Sequence, residues 1–198
     1  MKQRSASFLN DIRHRRSVRD FSDQPVPAKI ISDCILAAGS APSGTNKQPW
    51  HFVVVCDAEV KHRIRQSAEN VEHEMYNKRA SEQWLNALAP LKTNSTKPFL
   101  ETAPRLIAIF AEKYKLLPDG TKELNYYVTE SVGIAIGILI TAIHNAGLVC
   151  LPYTPSPMRF LNTILKRPEN ERPFLLLVIG YPADGITVPN LARKRLMR

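Results

Sequence analysis

Glu72 and Tyr76 stand four residues apart in a stretch that reads as helix, so a carboxylate and a phenol share one helix face. Lys97 follows beyond a turn. Carboxylate, phenol and ammonium together suit a zwitterion, the carboxylate taking an ammonium group and the lysine and phenol taking a carboxylate. The residues alone equally allow a charged pair on a solvated helix with an unrelated lysine nearby. A second group is cationic. Arg15, Arg16 and Arg19 surround Ser17, and guanidinium forks are suited to a phosphate dianion, although a solvated basic face has the same composition. The third group is the stretch Ala41-Pro42-Ser43-Gly44-Thr45-Asn46-Lys47-Gln48-Pro49-Trp50. Two prolines stiffen it, Gly44 permits close backbone approach, and Ser43, Thr45 and Asn46 supply short polar side chains. It reads either as a binding loop or as a plain helix-to-strand turn.

These residues need a scaffold, and the chain offers alternating helices and strands. A short helix is expected over 7–16, with Leu9 and Ile12 inward, followed by an extended segment to Pro27. Pro27 suits a first helical turn, and the helix runs to about Gly39 with Ile30, Ile31, Cys34, Ile35 and Ala38 on one face. A strand over 50–55 comes next, then a helix capped by Asp57 and running over 58–80. Residues 66–97 carry few apolar positions, Trp84, Leu85, Leu88 and Leu91 forming one small stripe. Such a segment is either a mobile lid or a surface hairpin of helices. A strand over 105–110 precedes a polar loop over 113–122 with a Pro118-Asp119-Gly120 turn. The helix predicted over 124–146 is apolar nearly all round, with Gly133 and Gly137 four apart, which favours a subunit interface. Gly147 ends it. A strand over 148–151, the segment Pro152-Tyr153-Thr154-Pro155, a helix over 157–166 and a strand over 174–180 complete the core. The tail, 181–198, has no periodicity and is expected to lie across a partner subunit.

Composition narrows the classes. A chain of 198 residues with 44% apolar and 23% charged residues is expected to form one globular domain, 1–198. The charge of +9 is compatible with nucleic acid, an anionic membrane surface, an anionic small molecule or simply a solvated basic surface, and the cations gather at 13–19 and near the C-terminus without interleaved aromatics or a nucleic-acid motif. No nucleic acid is therefore expected as a partner. Cys34, Cys56 and Cys150 are too far apart for a paired metal motif and read as reduced thiols in a cytoplasmic protein. His51, His62, His73 and His144 show no metal spacing, so no metal is expected. The polar N-terminus lacks a secretory leader pattern, and the apolar run 132–143 is shorter than the roughly 20 residues that span a bilayer.

Arg15-Arg16-Ser17-Val18-Arg19, the Pro42-Ser43-Gly44 loop with Gln48-Pro49-Trp50, and Asn145-Ala146-Gly147-Leu148 occur in the order of the FMN-dependent nitroreductase family, which the chain resembles from about residue 8 to 195. Glu72-x-x-x-Tyr76-x-Lys78-Arg79, Trp84, Leu91-x-Thr93-Asn94, Lys97 and Thr187-Val188-Pro189-x-Leu191-x-Arg193-Lys194 resemble its iodotyrosine deiodinase branch. The resemblance implies an α+β, three-layer α/β/α fold with a mixed sheet, and an intertwined homodimer exchanging C-terminal tails. It implies FMN held by Arg15, Arg16, Ser17, Arg19, Ser43, Pro152, Tyr153, Thr154 and, from the tail, Arg193. Thr154 takes the catalytic position, its hydroxyl bonding flavin N5 and favouring one-electron chemistry.

The same resemblance implies a halotyrosine substrate held by Glu72, Tyr76 and Lys97 under a lid over 66–100, with the Thr45 backbone N–H on the phenolate. The reaction implied is reductive dehalogenation driven by an external donor, NAD(P)H directly or through a reductase. Three other readings stay open: an NAD(P)H-dependent nitroreductase or quinone reductase, an oxygen-dependent flavin destructase, and a basic nucleic-acid-binding module.

Overall fold

The structure is a computed structural model and describes residues 1–91 and 93–191. At its centre lies a four-stranded antiparallel sheet in the order β1-β2-β6-β5, formed by β1 (Trp50–Val55), β2 (Arg105–Glu112), β5 (Val149–Tyr153) and β6 (Glu171–Gly180). One parallel pairing joins it, where Ser17 bridges Cys150 on the outer edge of β5. Strands β1 and β2 pair directly from Trp50↔Ala111 to Val55↔Leu106, and a register shift between Ile109 and Phe110 interrupts the β2–β6 ladder.

The sheet is apolar on both faces, which explains the unbroken run Leu106-Ile107-Ala108-Ile109-Phe110. Leu106, Ala108 and Phe110 join Leu151, Tyr153, Leu176 and Val178 in one core. Ile107, Ile109 and Ala111 join Cys150, Leu177 and Ile179 in the other. The first core is roofed by α3 (Ala58–Glu74), α5 (Phe99–Thr102) and α7 (Phe160–Ile164), through Ile64, Ala68, Leu100 and Leu161. The second is roofed by α2 (Ala28–Gly39) and α6 (Val128–Asn145), through Ile31, Ala38, Val132, Leu139 and Ile143. Helices on both faces of a sheet give the expected three layers. By length and composition α6 is also apolar enough to cross a bilayer. Its packing against α2 and the sheet makes it a core helix instead.

Several boundaries differ from the sequence expectation. The first helix, α1 (Lys2–His14), starts earlier and buries no residue; Leu9, expected inward, is 47% exposed. Ile12 is half-buried, and the described residues leave Phe8 and Leu9 exposed. The loop expected over 113–122 is a hairpin, β3 (Tyr114–Leu116) pairing with β4 (Lys122–Leu124). Its turn is held by the Asp119 carboxylate, which accepts from the Thr121 N–H at 2.9 Å, and by Gly120 at φ 82°. That hairpin takes Leu124 out of α6, whose start is set at Tyr127, a left-handed residue with φ 50°. Asp57 caps α3 as expected, its carboxylate accepting from the Val60 N–H at 2.9 Å. The α-helical geometry stops at Glu74, however, and continues as a π-helical turn, Met75–Arg79. Strand β5 extends to Tyr153 and takes in Pro152, which an edge strand tolerates.

Candidate active site

Glu72, Tyr76 and Lys97 meet at one cavity of about 190 Å3, together with Arg19 from the basic run. It is lined by Arg19, Glu72, Tyr76, Lys97, Pro152, Tyr153 and Thr154, with Trp84, Leu88, Leu91, Thr93, Phe99 and Leu151 completing the wall. The last turn of α3 carries Glu72 and the π-helical turn carries Tyr76, so the wider turn still leaves both on the cavity side. Tyr76 meets Trp84 edge-on at 5.7 Å between ring centroids. Trp84 sits in the short helix α4 (Glu82–Leu88), which Ser81 caps by accepting from the Trp84 N–H at 3.2 Å. No residue from Met75 to Leu91 is buried. Few apolar contacts therefore tie this segment down.

Lys97 is the most enclosed charge in the site, 3% exposed. Its ammonium lies 3.5 Å from a Glu72 carboxylate oxygen and donates to Thr93 Oγ1 at 3.1 Å and to the Asn94 carbonyl. The rings of Tyr76 and Tyr153 lie 5.7 and 5.8 Å from it. Burial pushes the Lys97 pKa down, and the Glu72 carboxylate opposes that shift. Burial likewise raises the Tyr76 phenol. The Tyr153 phenol is raised by burial first and by Glu72 second, so it stays protonated. Its hydroxyl is buried beside the Glu72 carboxylate, without a hydrogen bond of good geometry.

The spacing did not reveal Glu69, which fixes the backbone of Lys97. Its carboxylate accepts from the Lys97 N–H at 2.6 Å and from Arg65 Nε at 2.8 Å. Arg65 also reaches Glu101 at 3.2 Å. Burial alone would raise the Glu69 carboxyl, but the Lys97 N–H and the Arg65 guanidinium outweigh it and hold the pKa below its ordinary value. The Arg65–Glu69 spacing of four was visible in the sequence; the acceptor role toward Lys97 was not.

Arg15 and Arg16 line a second cavity of about 250 Å3, with Val149 and Cys150 of β5 and the C-terminal end of α6. Segment 15–19 and β5 thus wall both cavities, Arg19 facing one and Arg15 and Arg16 the other. Ser17 lies between them in its bridge to Cys150. Burial pushes the Cys150 thiol up to about 11, with Arg15 acting against the shift. Ser43 and Thr45 line neither cavity. The Ser43 hydroxyl accepts from the Gln48 N–H at 2.9 Å, and Thr45, Asn46 and Gln48 all take left-handed backbone, with φ 48, 54 and 49°. Gly44 is pressed against residues 126–127: a Cβ there would lie 2.7 Å from the Tyr126 carbonyl oxygen. Arg193 lies outside the described residues.

The donor chemistry around β5 fits FMN. Guanidinium groups on one side suit a phosphate, and the cavity under Trp84 and Tyr76 suits a flat ring bearing a second, amino-acid-like ligand. Comparison with known proteins agrees. Residues 12–181 match the model of the nitroreductase family. The chain is 56% identical over 194 residues to an iodotyrosine deiodinase of Haliscomenobacter hydrossis, covering 98% of this chain and 87% of that one. It is 44% identical over 197 residues to an iodotyrosine deiodinase of Nematostella vectensis, covering 99% and 75%. Among solved structures, oxidised iodotyrosine deiodinase bound to FMN and 3-iodo-L-tyrosine superposes with a TM-score of 0.85 at 30% identity, covering 96% of this chain and 97% of that one.

Proposed function

This chain belongs to the nitroreductase family, and from that premise we propose that it is an FMN-dependent oxidoreductase that reductively dehalogenates halotyrosines, releasing halide and tyrosine. The observation that carries this reading is the convergence of Glu72, Tyr76 and Lys97 on one cavity with Arg19 and Thr154. FMN, when bound and reduced, would supply the two electrons that, with one proton, exchange the carbon–halogen bond for a carbon–hydrogen bond and release halide.

The protein's own residues bind, orient and shield. The Glu72 carboxylate takes the substrate ammonium, and Lys97 and Tyr76 take its carboxylate. In the structure Lys97 faces Glu72 at 3.5 Å, so the two charges already hold each other in register for a zwitterion. Trp84, Leu88 and Leu91 supply the apolar cover that excludes water from the aromatic ring. Thr154 offers a hydroxyl at the end of β5, beside Pro152 and Tyr153. Arg15, Arg16, Ser17 and Arg19 hold the flavin and its phosphate, with Ser43 and, from the tail, Arg193 as further contacts. The Thr45 N–H takes the phenolate; because Thr45 lines neither cavity of its own subunit, the second subunit delivers it.

That last assignment requires a homodimer. Phe8, Leu9 and Ile134 are 56, 47 and 46% exposed, and α1 and α6 flank an apolar groove of about 530 Å3, which supports assembly through this face. Three free thiols support a reducing, cytoplasmic setting. The electron donor is NAD(P)H, directly or through a reductase.

Anaerobic titration of the dithionite-reduced holoprotein with 3-iodotyrosine tests the proposal. Stoichiometric flavin oxidation with iodide release is expected. A flavin that stays reduced in excess 3-iodotyrosine while nitroaromatics oxidise it would assign the chain to nitroreduction instead.

A further inference from the structure

Among the described residues, three buried side-chain polar atoms lack a hydrogen-bond partner: Arg105 Nε, Asn125 Oδ1 and the Tyr153 hydroxyl. Only Tyr153 belongs to the cavity that holds Glu72 and Lys97. Its residue is 8% exposed, and its ring stands edge-on to Phe99 at 5.7 Å and 5.8 Å from the Lys97 ammonium. The side chain is therefore locked in direction, on the α3 face of the sheet with Leu151. A buried hydroxyl without a well-formed hydrogen bond costs about 1–3 kcal/mol, a cost recovered when a ligand beside Glu72 completes its bonding.

We infer that Tyr153 is a further substrate ligand and a determinant of specificity for the α-amino group: its hydroxyl donates to the Glu72 carboxylate and accepts an N–H from the substrate ammonium. The inference rests on the halotyrosine reading above. The valences allow this arrangement to satisfy all three groups at once. A carboxylate only accepts, an ammonium only donates, and a phenol has one O–H and two lone pairs. Burial and the Glu72 charge keep the phenol protonated, so the donor is present throughout the neutral range. The family resemblance gives this segment to the flavin; the hydroxyl, enclosed beside Glu72, adds a contact to the substrate head group.

The test is Tyr153→Phe in the FMN-loaded full chain. Dissociation constants are read from flavin fluorescence for 3-iodotyrosine and, by competition, for its desamino analogue 3-(4-hydroxy-3-iodophenyl)propionate. FMN affinity is measured alongside. The variant is expected to bind 3-iodotyrosine about tenfold more weakly, with the analogue and FMN within about twofold of wild type. Unchanged 3-iodotyrosine affinity, with only a higher melting temperature from removal of the unsatisfied hydroxyl, would overturn the inference. Equal losses on both ligands would overturn it too, because they would assign Tyr153 to the ring pocket. If the wild-type holoprotein itself fails to bind 3-iodotyrosine, the functional reading falls, and the inference with it.

Discussion

Lys97→Gln removes a charge from a position only 3% exposed, where the ammonium touches Glu72, Thr93 and Asn94. Two opposite charges 3.5 Å apart attract by a gross amount of about 5 kcal/mol at an effective dielectric near 20. Desolvation outweighs it, as the lowered Lys97 pKa records, and the bonds to Thr93 and Asn94 offset part of the difference. The fold should therefore lose only about 1 kcal/mol. Binding should suffer more, because a charge-assisted bond to the substrate carboxylate is worth about 1.5–3 kcal/mol, or about 10- to 150-fold in Kd. Fluorescence titration of the FMN-loaded variant with 3-iodotyrosine reads that loss, and FMN affinity should hold within about twofold. Unchanged halotyrosine affinity would refute the clamp; parallel loss of FMN would show that Lys97 supports the flavin. The pH dependence adds a signature. Because the folded state lowers the Lys97 pKa, the unfolded chain holds more protons between that value and 10.5. The folding penalty from this lysine is thus fully present below the lowered pKa and is relieved as pH rises toward 10.5, and K97Q should abolish that alkaline gain in a urea-unfolding series.

Glu69→Ala takes the acceptor from the Lys97 N–H and from Arg65, so 3-iodotyrosine affinity should drop about tenfold with FMN retained; Glu69→Gln keeps an acceptor oxygen and should recover part of it. Gly44→Ala drives a Cβ to 2.7 Å from the Tyr126 carbonyl, and thermal unfolding should show a loss of about 1–3 kcal/mol. Asp57→Ala removes the α3 cap and should cost about 1 kcal/mol in chemical unfolding while leaving ligand affinities unchanged.

Where periodicity or cap chemistry decides an element, the sequence was readable. The Asp57 cap, the β1 strand and the apolar face of α2 all follow from local pattern. The β3–β4 hairpin was not readable, because its strands are three residues each and β4, Lys-Glu-Leu, carries no alternating apolar face to mark it. Residues 124–127 extended the apolar pattern of α6, and only the left-handed Tyr127 stops the helix. At the candidate site, residue type and resemblance pointed to Glu72, Tyr76 and Lys97, which share one cavity. Glu69 was not legible, because its main task is to bind the backbone of a residue 28 positions away, which no spacing rule encodes. The orphaned Tyr153 hydroxyl was equally invisible, since burial at the end of β5 depends on Phe99 and the α3 face closing over it.

The position of β5 at the sheet's margin has one more effect. An exposed strand edge is a template for adventitious pairing with other chains. Here the Cys150 carbonyl is already taken by the Val18 N–H at 3.3 Å, and Pro152, two residues on and so facing the same way, has no N–H to offer. The edge of the strand that leads to Tyr153 and Thr154 thereby offers a foreign ribbon fewer groups to pair with.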